Sequence, residues 1–279
     1  MPVPLVMGIL NVTPDSFSDG GRFVDVDRAV AHGLEMARHG ASIVDVGGES
    51  TRPGAQPVDA ATEAARVVPV VEALAGHVRV SIDTAKAEVA HAAVEAGATL
   101  INDVSASLYQ VAADRQVGWV AMHMQGEPRT MQVQPLYDDV VAEVEQYLLA
   151  RAEIARSAGV PEVWIDPGIG FGKSFAHNWQ LLAGMAQLCA TGLPVAVGTS
   201  RKAFLGAALA AADGAADPVP SHDRLEGSVA TAVQAAAAGA AMVRVHEVAA
   251  TVAALEAADQ AVRPTSVVGP EQRESSRWL

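Results

Sequence analysis

The chain has 279 residues, half of them apolar and 18% charged, which excludes intrinsic disorder for its bulk and leaves room for one large domain with a sizeable core. A single cysteine, Cys189, excludes a disulfide framework, a multi-cysteine zinc site and a cysteine-ligated iron–sulfur cluster. With 19 Lys+Arg against 32 Asp+Glu the net charge is −13, which disfavours broad nucleic-acid binding and attraction to anionic membranes but not a local basic pocket for a small anion. The apolar runs are too short and too often broken to span a bilayer, and Met1-Pro2-Val3-Pro4 lacks a secretory n-region, so the expected compartment is the cytoplasm.

Short aliphatic runs alternate with helical patterns along the chain. Runs near 5–12, 41–48, 78–84, 99–104, 118–124, 162–167, 194–199 and 240–246 read as eight strands buried on both faces. Helices are expected at Val26–Arg38 and at Ala60–Leu74, the latter with Asp59 as N-cap. Gly40, Gly97, Gly159, Gly192 and Gly239 each stand between a helical stretch and the next aliphatic run, the place of a helix-terminating glycine. Eight strand–helix units predict a single α/β domain, a TIM (β/α)8 barrel over residues 1–262. Residues 263–279 are polar and aperiodic, and a flexible C-terminal tail is expected there.

A barrel of this kind places its active site at the C-terminal ends of the strands. The polar residues that close the runs are Asn11, Asp83, Asn102 with Asp103, Met122-His123, Asp166, Ser200-Arg201-Lys202 and Arg244-Val245-His246; the opposite ends carry mostly Gly, Ala, Thr, Pro and Val. Asp83, Asn102 and Asp166 suit a planar heterocycle with amino and ring N–H groups. Lys202, Arg244 and His246 suit phosphate oxygens, and Asn11 offers a neutral oxygen to a Mg²⁺ shared with phosphates and water. Asp45 and Asp103 read as supporting or capping residues. His123 reads equally as a core histidine, Met122 as pocket lining, and His32, His39, His77, His91, His177 and His222 as solvated.

Two Gly- and Ser-rich loops follow strands, Thr13–Gly21 and Gly47–Gly54; Phe17 and Arg52 on them suit a lid over a charged ligand. Gly168-Ile169-Gly170-Phe171-Gly172-Lys173-Ser174 nearly spells a P-loop, but the position that needs the first glycine is Pro167, so the register fails.

Seven stretches in order resemble the motifs of dihydropteroate synthases: Ile9–Gly21, Val44–Gly54, Ser81–Thr84, Ile101–Val104, Ile165–Phe171, Thr199–Gly206 and Arg244–His246. The resemblance spans about residues 5–260. It implies a barrel that condenses 6-hydroxymethyl-7,8-dihydropterin pyrophosphate with p-aminobenzoate, releasing pyrophosphate with the help of Mg²⁺. It also implies a site for each part. Asp83, Asn102, Met122, Asp166, Lys202 and Arg244 would hold the pterin. Asn11, Thr51, Arg52, Arg244 and His246 would meet the pyrophosphate, with Asn11 also on the metal. Phe17, Pro53, Phe171, Ser200 and Lys202 would frame p-aminobenzoate, where sulfonamides bind in this family.

No side chain is placed as a covalent nucleophile with a base, so the chemistry expected is departure of pyrophosphate to leave a pterin cation that the aniline nitrogen captures. Asp83, Asp166, Lys202, Arg244 and His246 would stabilise the charges. The sequence departs from the family pattern at Ala106-Ser107, where a glycine pair is usual, at Glu127, and in the long segment Ala207–Arg224. Two alternatives stay open: a pterin-binding methyltransferase barrel, against which Arg52, Lys202 and Arg244–His246 speak, and a non-catalytic pterin-binding paralogue. Alanine-rich stretches around the last strand would permit close helix packing in a homodimer.

Overall fold

Residues that alternate inward and outward along a strand, followed by a helix that returns the chain, close on themselves when the unit repeats eight times. In the computed structural model, which describes residues 3–13, 22–49, 57–127 and 130–262, they do so. In chain order the elements are β1 (Leu5–Asn11), α1 (Arg22–Arg38), β2 (Ile43–Gly47), α2 (Ala60–Leu74), β3 (Arg79–Asp83), α3 (Ala87–Glu95), β4 (Leu100–Asp103), α4 (Tyr109–Arg115) and β5 (Gly118–Met122). They continue with α5 (Val140–Ser157), β6 (Glu162–Asp166), α6 (Phe175–Ala183), α7 (Met185–Cys189), β7 (Ala196–Val197), α8 (Ala203–Ala212), α9 (Leu225–Ala237), β8 (Met242–Val245) and α10 (Val248–Val262). The strands form one parallel sheet in the order β6-β5-β4-β3-β2-β1-β8-β7. Pairing of Ile165 with Val195 joins the two free edges and completes the TIM barrel.

All eight expected strands are present, each shorter than its apolar run. The largest contraction is β7: Pro194 cannot donate to a ladder and Gly198 weakens one, leaving Ala196–Val197. Helix α2 begins where expected, with Asp59 Oδ1 accepting from the Thr62 N–H at 2.9 Å. Helix α1 begins four residues before its expected start. The backbone at Gly97 turns through φ +113° to leave α3 for β4, a conformation a side chain would resist, and the other four helix-ending glycines share the positive φ.

Two apolar cores result. The larger lies between the sheet and the helices. The smaller fills the barrel with Met7, Ile43, Leu100, Val120, Trp164, Ala196 and Met242, one from each of seven strands. Below it, at the N-terminal mouth, Arg79 donates to both carboxylate oxygens of Glu162 (3.1 and 2.5 Å), and Trp164 Nε1 donates to Glu162 as well (2.6 Å). These two charges are exceptions at an end whose residues are mostly Gly, Ala, Thr, Pro and Val. Of the alanines of α9, Ala232, Ala235 and Ala236 are buried within the fold.

Candidate active site

Period-two alternation decides which residues stand above the barrel core. Asn11 is in register with Gly47, Gly47 with Asp83, and Asp83 with Asn102; Met122 is in register with Asp166. Each shares the inward parity of a barrel-core residue two to four positions before it, except Asp83, which shares that of Ser81 and Arg79. They form the C-terminal rim together with Arg244, from β8.

The rim is bonded to itself. Arg244 Nη2 donates to Asp83 Oδ2 and Arg244 Nε to Asp45 Oδ2, each at 2.6 Å, while Asn102 Nδ2 donates to the same Asp45 oxygen at 2.9 Å. Asp45 is therefore a supporting residue and caps no helix. It is fully buried, and its other oxygen, like the neighbouring Ser81 hydroxyl, has no hydrogen-bond partner among the described residues. Asp103 holds the turn between β4 and α4 instead, accepting from the backbone N–H groups of Ser105 and Leu108 and from Trp119 Nε1.

Burial drives the Asp83 carboxyl up to about 7, with Arg244 pulling the other way. Asp166 is also raised by burial, against the N–H of Gly168, which it accepts at 2.7 Å, and against Lys202. Burial and the nearby Arg244 bring Lys202 down to about 8. Burial opposes the charge of Arg244 too, but Asp45 and Asp83 outweigh it and hold the guanidinium more firmly protonated than usual.

Lys202 stands with its ammonium 3.9 Å from the centre of the Phe171 ring, a cation–π contact that joins the ends of β6 and β7. Ser200 is buried. Its hydroxyl lies 2.9 Å from His246 Nδ1, accepts the His246 backbone N–H at 3.2 Å and reaches Glu247 at 3.2 Å. Residues expected to serve two different parts of the ligand are thus in direct contact. Between Ser200 and Lys202, Arg201 adopts φ +61°; its N–H is held by Ser228, its carbonyl by Arg224, and its guanidinium by Glu247.

Met122 is buried at the rim, in contact distance of a Cβ placed on Gly168. His123 is a core histidine, bonded to the buried Lys173 and seated edge-on against Tyr147. His177 is not simply solvated: it is half-buried and closes a capping box with Ser174 at the start of α6. Phe17, Thr51, Arg52 and Pro53, and the tail 263–279, lie outside the described residues. At the base of the second loop, however, Glu49 accepts from the Val58 N–H at 2.9 Å and pairs with Lys86, which also bonds the buried Glu63 at 2.5 Å. Glu49, Lys86 and Glu247 were not singled out from the sequence, because none closes an apolar run.

Similarity to known proteins matches this arrangement. Residues 7–246 fit the model of a family described as pterin binding enzyme. The chain is 50% identical to the dihydropteroate synthase of Mycobacterium leprae over 264 residues, covering 90% of this chain and 91% of that one. It is 46% identical over 260 residues to that of Escherichia coli K12, covering 90% and 89%. The chain belongs to the dihydropteroate synthase family. Its class is accordingly that of a transferase of folate biosynthesis. Among solved structures, Xanthomonas albilineans dihydropteroate synthase with 4-aminobenzoic acid superposes with a TM-score of 0.86 at 47% identity, covering 94% of this chain and 95% of that one. The same enzyme with 7,8-dihydropteroate gives 0.82 at 44% identity and the same coverage. The Yersinia pestis enzyme in complex with a sulfonamide drug gives 0.84 at 45%, covering 92% and 94%. Among the described residues no helix is long and apolar enough to cross a membrane.

Proposed function

We propose that the C-terminal rim performs dihydropteroate synthesis with the residues grouped by strand. Asp83, Asn102 and Asp166 accept from and donate to the edge of the pterin, with Met122 beneath it and Lys202 and Arg244 at its sides. The observation that carries this reading is an acid–amide set at the rim, buried Asn102 and Asp166 and half-buried Asp83, next to the two cations Lys202 and Arg244. A neutral heterocycle with several N–H groups satisfies such a set, and a pterin that becomes cationic satisfies it better.

In the reaction, the C–O bond between the pterin methylene and the pyrophosphate breaks with its electron pair leaving on oxygen. The aniline nitrogen of p-aminobenzoate then forms the C–N bond and releases a proton. Asp83 and Asp166 stabilise the positive charge on the pterin. Arg244 and His246, with Thr51 and Arg52 from the second loop, meet the charge of the departing pyrophosphate. Arg244 commits Nε and Nη2 to carboxylates and retains further N–H donors for phosphate oxygens. Ser200, Lys202 and Phe171, with Phe17 and Pro53, frame p-aminobenzoate. The bond between Ser200 and His246 supports a site in which the attacking amine and the leaving group adjoin.

The donor set fits Mg²⁺ of one kind. Asn11 Oδ1 and Asp83 Oδ2 face the same space, 3.7 and 3.8 Å from where a Cβ on Gly47 would stand. Among the described residues no three His, Cys, Asp or Glu side chains could enclose an ion. Asn11 would hold a Mg²⁺ coordinated mainly by the pyrophosphate and water, and the ion would supply charge neutralisation for the leaving group. We further propose a homodimer. Phe175 and Trp179 on α6 and Leu225 at the start of the adjacent α9 are exposed apolar residues, and sedimentation velocity will show a single species of twice the chain mass.

The test is turnover with both substrates. Pyrophosphate release is expected only when p-aminobenzoate accompanies the pterin pyrophosphate, and Lys202→Ala and Asp83→Asn should each lose about 10- to 150-fold in kcat/KM. Pterin binding without turnover would identify a non-catalytic paralogue, and full turnover in either variant would overturn the site assignment.

A further inference from the structure

The stretch that nearly spells a P-loop contains a lysine that the reaction above does not use. In a phosphate-binding loop that lysine reaches out to the ligand. Lys173 instead turns inward and is 1% exposed. Its ammonium meets three acceptors, one for each N–H: His123 Nδ1 at 2.9 Å, the Phe171 carbonyl at 3.0 Å and the His123 carbonyl at 3.4 Å. Burying an ammonium is costly, and burial lowers this one to about 7, so the position is tolerated only because its donors are matched. Burial and Lys173 together drop His123 to about 3, so the imidazole is neutral and its Nδ1 is free to accept.

These bonds interlock two loops. Gly168 and Gly172, both left-handed, lie so close to the carbonyls of His123 and Gln125 that a Cβ would stand 1.8 and 2.2 Å from those oxygens. Between them the Gly170 N–H donates to Asn178 (2.7 Å), the Gly170 carbonyl accepts from Gln132 (2.7 Å), and the Gly172 carbonyl accepts from the Tyr137 hydroxyl (2.9 Å). Lys173 takes the remaining carbonyl in the series, that of Phe171, whose ring faces Lys202.

We propose that Lys173 is a positioning residue for p-aminobenzoate: its buried ammonium ties the loop after β6 to the end of β5 and so holds the Phe171 ring against Lys202. The proposal rests on the assignment of Phe171 and Lys202 to the p-aminobenzoate site given above. Lys173 is assigned to neither substrate; loss of its donors releases the Phe171 carbonyl and leaves Asp83 and Asn102 untouched, while Asp166, whose carboxyl Lys173 helps to lower, keeps its bond from the Gly168 N–H.

The experiment is two-substrate steady-state kinetics on the full chain carrying Lys173→Met, which keeps the length of the side chain and removes its donors. The KM for p-aminobenzoate is expected to rise at least about tenfold while that for the pterin pyrophosphate changes less than about twofold. An unchanged KM for p-aminobenzoate, or a parallel rise of both, overturns the proposal. If Lys173→Met does not fold, Lys173→Gln, which keeps a polar end but falls short of the Phe171 carbonyl, decides by the same criterion. Phe171→Ala separates the proposal from the reading beneath it. If Phe171→Ala raises the KM and Lys173→Met does not, the proposal alone falls. If Phe171→Ala leaves it unchanged, Phe171 is outside the site and both fall.

Discussion

Asp83 and Lys202 are the pair in which environment most changes chemistry. One is a carboxyl raised by burial to about 7, the other an ammonium lowered to about 8. An acceptor is needed at Asp83 and a cation at Lys202. As pH falls below about 7 Asp83 gains a proton and ceases to accept; as pH rises above about 8 Lys202 loses its charge. The pH profile of kcat/KM for the pterin substrate is therefore expected to be bell-shaped with its maximum between these values. Asp83→Asn, which cannot titrate, should abolish the acid limb and lose about 1.5–3 kcal/mol of transition-state stabilisation, the worth of a hydrogen bond to a charged group. An acid limb that persisted in that variant would assign it to another group, Asp166 first. Asp83, Asn102, Asp166, Lys202 and Arg244 were readable from the sequence because each ends or follows an apolar run. Asp45 was readable only as a supporting or capping residue, because it sits inside such a run; its shared parity with Gly47 and its pairing with Asn102 and Arg244 decide for the supporting role.

At the scale of elements, the helix-ending glycines, the Asp59 cap and the eight strands were legible because each rests on local chemistry, a left-handed backbone, a side-chain acceptor or a buried aliphatic run. What local chemistry leaves undecided is how loops meet. The Gly168–Ser174 segment looks from its composition like a phosphate cradle, yet its conformation is set by Gln132, Tyr137 and Asn178, which come from other parts of the chain. Two glycines with similar backbone angles measure the difference. Gly192 (φ +80°) has open space where a Cβ would go, so Gly192→Ala should cost only the left-handed penalty of about 1–2 kcal/mol. Gly168 (φ +65°) would add a clash with the His123 carbonyl, and Gly168→Ala should cost about 2–5 kcal/mol and weaken binding at the rim. Urea denaturation of the two variants checks this; equal losses would show that the loops adapt. Ala106 illustrates the same point in the native chain: in the place where a glycine is usual in the family, it takes φ +50°, with its carbonyl held by Arg151.

Across the whole molecule the two ends of the barrel do different work. The N-terminal mouth is closed by Arg79, Glu162 and Trp164 and should contribute to stability alone. Burial would raise the Glu162 carboxyl, but its bonds from Arg79 and Trp164 prevail and hold it below the usual range. A depressed acid stabilises the fold above its unfolded value and loses that contribution as pH falls through the folded one. Glu162→Gln should therefore lower stability near pH 7 by about 1 kcal/mol, since the pair is partly exposed, and flatten the loss on acidification below about pH 4.5, with kcat unchanged. Unfolding curves at neutral and acidic pH, beside turnover, test both halves. The alternation that separates site from core along each strand also limits how this enzyme can change over evolutionary time. Inserting one residue in β3 would exchange Asp83 for Ile82 at the rim and put a carboxylate among the aliphatic residues beneath the helices. New specificity or inhibitor tolerance can therefore arise through single replacements at rim positions, or through changes of length in the loops beyond them, but not through a shift of any strand.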